Sequence, residues 1–144
     1  MLVRDVLESK GRRVVAIDSD ASVSEAIAKL VQNNIGSLPV VDQENRLVGI
    51  FSERDVLRLF HHKGEGFGRI HIAEVMTCNP VTCDLVDDMN EVMGLMSERH
   101  IAKVPVLEDS KLVGVISVGD MIKVMYDKVS TENKHLMSYI HGSV

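Results

Sequence analysis

The hydrophobic pattern of this chain runs through the same sequence of changes twice, from contiguous apolar runs to helical spacing and back. Val14-Val15-Ala16-Ile17 is a short, mostly β-branched run that predicts a strand. After it, Val23, Ala26, Ile27, Leu30 and Val31 recur every three or four positions, predicting a helix with one buried face and Ser22 and Glu25 as its capping box. Two extended runs follow, 37–41 and 47–51, joined by the turn Asp42-Gln43-Glu44-Asn45-Arg46, and a second helix is predicted to start at Ser52-Glu53-Arg54-Asp55. The pattern then returns. Met89, Val92, Met93 and Met96 keep helical spacing behind Asp88 and Glu91, strands are predicted at 103–107 and 111–116, and a helix begins at Ser117-Val118-Gly119-Asp120.

The repetition extends to individual residues. Pro39 and Pro105 are 66 positions apart and Asp55 and Asp120 are 65 apart, so one residue is lost from the second turn between strands. Two copies are too few for a solenoid. They predict one compact body with a pseudo-twofold axis and a cleft with two related halves.

Composition narrows the class further. At 144 residues and 45% hydrophobic, the chain can bury one sizeable core. No run approaches the ~18 apolar residues of a membrane span, and Met1-Leu2-Val3-Arg4-Asp5 lacks the layout of a secretion signal, so a cytoplasmic protein is expected. Cys78 and Cys83 both lie in the second copy without counterparts in the first, which predicts reduced thiols rather than a disulfide or a zinc site. A net charge of −5, two Tyr, three Phe and no Trp argue against nucleic-acid binding, while eight Met predict an adaptable core or interface.

The connector His61-His62-Lys63-Gly64-Glu65-Gly66-Phe67-Gly68-Arg69 is polar and glycine-rich and reads as a mobile linker. Its glycines follow a helix and lack the Gly-Lys-Ser/Thr ending of a phosphate loop. Its adjacent histidines have no carboxylate or cysteine cluster at ligand spacing, so no metal site is predicted.

From about Val6 to Val124 the chain resembles the cystathionine-β-synthase (CBS) domain family, in its tandem-pair or Bateman form. The resemblance rests on Leu38-Pro39-Val40-Val41-Asp42 with Gly49 to Asp55, and on Val104-Pro105-Val106-Leu107 with Gly114 to Asp120. Glu132-Asn133 and Tyr139-Ile140-His141-Gly142 in the tail are similar to the small stand-alone bacterial CBS-pair proteins. The resemblance implies an α+β fold of two β-α-β-β-α repeats with a long C-terminal helix. We divide the chain into repeat 1 (1–61), a linker (62–73), repeat 2 (74–124) and a helical extension (125–144), forming one module. It also implies adenosine-containing ligands in the cleft between copies: AMP or ATP, and in some members NAD(H) or S-adenosylmethionine. No other cofactor is implied.

The residues give this reading a physical basis. Each Ser-x-x-Asp stands where a strand turns into a helix, and the first turn of a helix presents unpaired N–H groups and a positive dipole end to phosphate. A carboxylate at Asp55 or Asp120 can accept both hydroxyls of a ribose diol. Equally, Ser52 with Asp55 and Ser117 with Asp120 are plain capping boxes, a reading sufficient for either copy alone and weakened by the matching frame around both. Ile35-Gly36-Ser37-Leu38 and Ile101-Ala102-Lys103-Val104, with Val15 and Val81, then offer backbone groups and an apolar wall to adenine, or serve only as core strand. Charge separates the halves. The first copy has Gly36-Ser37 before its proline where the second has Lys103, preceded by Arg99 and His100, and Gly119 replaces Arg54. Lys103 is the leading phosphate candidate, aided by Arg54 and Arg58 through charge-assisted bonds, whereas Arg99 and His100 also suit the negative end of a helix. The resemblance pairs Asp55 with the Lys103 strand and Asp120 with the Ser37 strand. With few basic residues nearby, AMP or the adenylate half of NAD(H) is expected over ATP.

Beyond Asp120, Val118, Ile122, Met125, Val129, Leu136 and Ile140 form a near-heptad stripe, predicting one helix of roughly 36 Å that Gly142 stops. A homodimer clasped by this helix is expected, the alternative being a monomer with a frayed tail. No Ser/His/Asp or Cys/His arrangement recurs where a cleft would assemble it, so no catalytic residue is assigned. The expected role is that of a nucleotide-sensing regulator acting on an unidentified partner protein, with a ligand-free dimerisation scaffold as the alternative.

Overall fold

A computed structural model describes residues 1–140. The chain divides into two compact units, one of Arg13–Thr82 with Pro105–Gly114, the other of Met1–Arg12, Cys83–Val104 and Val115–Val144. The first is built around the first copy and the second around the second copy.

In the first-copy unit the order is β1 (Ile17–Asp18), α2 (Val23–Asn33), β2 (Ser37–Val41), β3 (Leu47–Ser52) and α3 (Glu53–Lys63), preceded in the chain by α1 (Val3–Lys10). A short α4 (Ile72–Val75) and β4 (Thr77–Cys78) complete a sheet ordered β1-β2-β3-β4. The first strand is shorter than the Val14 to Ile17 run predicted. Ile17 pairs with Val40 in parallel register, so one more residue would set Ala16 against Pro39, which has no N–H for the ladder. Lys29 Nζ instead donates to the Ala16 carbonyl at 2.6 Å. On the α2 face Val23, Ala26 and Leu30 are buried and Ile27 partly so, but Val31 is 74% exposed, because the stripe drifts off the core at its last turn. Ser22 and Glu25 close the expected capping box. Leu38, Val40 and Phe51, all fully buried, join Val23, Ala26 and Ile72 in the core of this unit. Burial of each of these side chains other than Ala26 contributes about 1.5–3 kcal/mol.

The connector is not the free linker its composition suggests. Helix α3 runs through His61, His62 and Lys63, and a 3₁₀ turn at Phe67–Arg69 brings Phe67 edge-on to Phe60 with ring centroids 6.3 Å apart. Phe67 and Ile70 pack against the core, and Val23 N donates to the Ile70 carbonyl. The two apolar residues among the glycines anchor it.

The other unit carries β5 (Cys83–Asp84), α5 (Met89–Arg99) and α6 (Val118–Ile140), with the first residues of β6 (Lys103–Glu108) and the last of β7 (Lys111–Ser117). A second sheet is ordered β5-β6-β7. The hairpin turn is reduced to Asp109 and Ser110, both with positive φ, the pattern of a two-residue hairpin and the site of the missing residue. Asp88 caps α5 by accepting from Asn90 N, and the expected box with Glu91 does not form. Met89, Val92 and Met96 are buried. Helix α1, which the hydrophobic pattern did not reveal, belongs here: Val3, Val6 and Leu7 are fully buried. Helix α6 is continuous over 23 residues, roughly 35 Å, as expected, while the predicted stop at Gly142 lies outside the described residues. Its stripe from Val118 to Ile140 is exposed throughout.

Candidate functional site

Both copies build the same turn from the same local chemistry. Helices α2 and α5 end on Asn34 and His100 in the left-handed conformation, and Ile35 N and Ile101 N donate back to the Leu30 and Met96 carbonyls. These closures fix where each chain leaves its helix and enters the strand before the proline. Arg99 and His100 therefore sit exposed at the negative pole of α5, as the helix-end reading had it.

In the first copy Ser37 stands opposite Ser52, Leu38 opposite Phe51 and Pro39 opposite Ile50, and Glu53 N donates to the Gly36 carbonyl at 3.0 Å. The register thus delivers the segment 35–39 to the start of α3. There Asp55 is 5% exposed, the one charged residue buried among the described residues. Its Oδ2 accepts from Ser52 N at 2.8 Å and from the Ser52 hydroxyl at 3.2 Å, and Asp55 N donates to Ser52 Oγ at 3.4 Å. A buried carboxylate survives here because the helix N-terminus supplies donors and a positive field. Its Oδ1 faces Arg58 Nη1 at 3.7 Å, beyond hydrogen-bond distance. Arg54 is exposed, and Val15 is half-buried against the core.

The second copy repeats the frame. Val118 N donates to the Ala102 carbonyl at 3.0 Å, Ser117 N to Asp120 Oδ2 at 2.9 Å, and Asp120 N to Ser117 Oγ at 3.0 Å. Lys103 is half-buried at the first position of β6, followed by buried Val104 and Pro105, and Val81 is half-buried ahead of β5. One partner has no first-copy counterpart. Lys10 Nζ donates to Asp120 Oδ2 at 2.6 Å and to the Val115 carbonyl at 2.8 Å. Burial alone would push the Asp120 carboxyl up, but hydrogen bonds from Lys10 and Ser117 outweigh it and hold the group below the ordinary carboxylate range.

Each Asp thus lies beside the pre-proline segment of its own copy. A cavity of about 550 Å³ opens beside the second, lined by Met93, Met96, Ile101, Ala102, Val118 and Met121 with Ser97 and His100. It meets the predicted adenine wall at Ile101 and Ala102 but includes neither Asp120 nor Lys103. Two charged side chains at these turns escaped the sequence reading. Lys10 reaches Asp120 from 110 residues away, with no motif to announce it. The Glu53 carboxylate lies against Gly36, 3.4 Å from where a Cβ would stand, placing negative charge beside the first pre-proline segment. Among the described residues no group of three or more His, Cys, Asp or Glu side chains could hold a metal, and no helix is long and apolar enough to cross a membrane.

This architecture is shared with known proteins. The CBS-domain protein ATU1752 from Agrobacterium tumefaciens is 34% identical, with a TM-score of 0.78 over 87% of this chain and 99% of that one. The CBS domain pair of protein MJ0100, crystallised with 5′-methylthioadenosine and S-adenosyl-L-methionine, is 29% identical with a TM-score of 0.74, covering 89% and 98% of the two chains. The mitochondrial CBS domain-containing protein CBSX3 of Arabidopsis thaliana is 28% identical over 97% of this chain and 72% of its own length. A CBS-domain family model matches twice, at 3–62 and 72–127, on either side of the connector. With both repeats matched and both Ser-x-x-Asp turns built alike, the chain belongs to the CBS-domain family as a tandem pair.

Proposed function

We propose that this CBS pair is a regulatory module that binds an adenosine-containing ligand at its Ser-x-x-Asp turns and passes the occupancy on to a partner protein. The observation that carries the reading is Asp55. A capping box needs one carboxylate oxygen, and Oδ2 fills that role with both bonds from Ser52, leaving Oδ1 without a hydrogen bond next to the segment 35–39. Ribose hydroxyls suit such an acceptor, the amide groups around Gly36 and Ala102 suit adenine, and Lys103, Arg54 and Arg58 are the phosphate candidates. The adenosine compounds bound by the MJ0100 pair support the ligand class. Glu53 beside Gly36 favours a ligand of low charge, so AMP or the adenylate half of NAD(H) is proposed ahead of ATP. No catalytic role is proposed, and the protein is taken to act in the cytoplasm as a homodimer. The exposed apolar stripe of α6 also suits a ligand-free dimerisation scaffold.

Calorimetric titration with AMP, ADP, ATP, NADH and S-adenosylmethionine separates the two readings. Saturable binding, weakened about tenfold or more by Asp55→Ala, is the expected result for loss of a charged hydrogen-bond partner. Absence of binding by every adenosine compound to a folded protein would leave the turns as helix caps and the protein as a scaffold.

A further inference from the structure

The two recognition carboxylates are not equivalent. Lys10 is held in place by a helix fastened at its N-terminal end and along its buried face. Val3 N and Arg4 N donate to the Asp87 and Leu85 carbonyls at 2.9 and 3.0 Å, and Val3, Val6 and Leu7 are fully buried. Lys10 follows Leu7 by three residues and Val6 by four, so it shares their face of the helix. Gly11, at φ +93°, ends the helix immediately afterwards with its N–H on the Leu7 carbonyl. The ammonium cannot wander far from Asp120 while those residues stay packed. The first-copy unit has no cation held this way: the nearest, Arg58, is exposed, and its Nη1 stands 3.7 Å from Asp55 Oδ1, beyond hydrogen-bond distance. Its short helix α4 begins after His71, which bridges to Ser22 as Leu2 bridges to Asp88, and the position matching Lys10 is Asn79, beyond the helix end.

On Asp120, Oδ2 accepts from both Ser117 N and Lys10 Nζ, which together fill its lone-pair directions. Only Oδ1 remains for a ligand, and a diol that chelates both oxygens must break a 2.6 Å charge-assisted bond first. On Asp55 the corresponding second partner is the Ser52 hydroxyl at 3.2 Å, which a rotation releases. We propose that Lys10 is a lock on the second site: its ammonium occupies the ribose-recognising carboxylate, so adenosine ligands fill the first-copy turn before the second. This rests on the adenosine reading above and adds to it an order of filling. It also makes α1 the element that senses second-site occupancy, since displaced Lys10 must leave both Asp120 and the Val115 carbonyl.

The test is calorimetric titration of the full chain with adenosine and, separately, AMP. The variants are wild type, Asp55→Ala, Asp55→Ala with Lys10→Met, and Asp55→Ala with Lys10→Arg, each checked by circular dichroism. Lys10→Gln replaces Lys10→Met if the latter does not fold. With the first site disabled, removal of the ammonium is expected to tighten both compounds about tenfold or more, and Lys10→Arg to keep the weak binding. Unchanged affinity, or AMP weakened while adenosine is unaffected, overturns the lock; the second pattern would make Lys10 a phosphate ligand. If wild type binds through Asp55 but Lys10→Met gains nothing, the lock fails and the adenosine reading stands. If no variant binds either compound, that reading falls and the lock with it.

Discussion

The carboxylate of Glu53 lies against the backbone of Gly36, although the two are 17 residues apart, because Glu53 N donates to the Gly36 carbonyl and ties α3 to the strand before Pro39. The matching positions in the second copy are Val118 and Ala102, joined by the same backbone bond but carrying no charge. An anion bound at the first turn would therefore meet the negative charge of Glu53. Glu53→Gln should tighten AMP by about two- to fivefold and ATP by more, while leaving uncharged adenosine nearly unchanged. Calorimetry at low and high salt checks it, and the gain should shrink as salt screens the charge.

A glycine opens each Gly-apolar-apolar-Ser-x-x-Asp strand, and the structure explains the first. Gly49 pairs with Cys78 across β3 and β4, and a Cβ there would stand 2.6 Å from Met76 Sδ and 2.8 Å from the Thr77 carbonyl oxygen. The sulfur can move, but the backbone oxygen cannot without separating the strands. Gly49→Ala should cost about 1–3 kcal/mol and Gly49→Val more, read as a lower urea midpoint with an unchanged slope. An unaffected midpoint would mean that β4 does not hold this position.

How much was legible follows from how local each signal is. The hairpins, α2, α5 and the Ser-x-x-Asp turns each write their pattern within about 20 residues, and the duplication confirmed them. Ser22 with Glu25, Ser52 with Asp55 and Ser117 with Asp120 all bond as spaced. Helix α1 escaped because only Val3, Val6 and Leu7 are apolar in eight residues, too few for a period. The connector misled through its glycines, whereas Phe67 and Ile70 decided its packing. The Lys10 to Asp120 contact lies between the two ends of the chain, where nothing in spacing or composition can register it.

The two cysteines should react differently. Cys78 is exposed on β4, whereas Cys83 is buried, and burial, with Asp87 and Asp84 adding their negative charge, pushes its thiol up to about 12. Ellman's reagent at pH 8 should titrate one thiol in the native protein and both in urea. The same shift makes stability depend on alkaline pH. The unfolded thiol ionises near pH 9 while the folded one keeps its proton, so stability is unaffected by Cys83 below about pH 9 and falls from there toward pH 12. Cys83→Ala should flatten that alkaline decline, and rapid labelling of both thiols in the native state would contradict the burial.

Helix α6 sets the strongest expectation about assembly. Val118, Ile122, Met125, Val129, Leu136 and Ile140 are all exposed at near-heptad spacing along 23 helical residues, with Tyr126, Met137 and Tyr139 exposed beside them. A monomer would hold this stripe in water at a cost of roughly 25 cal/mol for each Å² of apolar surface left uncovered. Only Met121 of the helix is fully buried within its own unit, so the single chain leaves most of the stripe uncovered. Two copies laid stripe to stripe would bury it as a coiled-coil seam does. Ile122→Glu with Val129→Glu should therefore convert a dimer to a monomer in sedimentation velocity while leaving the thermal unfolding of the remaining core intact. Because Ser117 and Asp120 stand at the start of this same helix, loss of the dimer should also weaken any ligand response that depends on α6. A wild-type chain that sediments as a monomer at micromolar concentration would instead point to a different protein as the cover for the stripe.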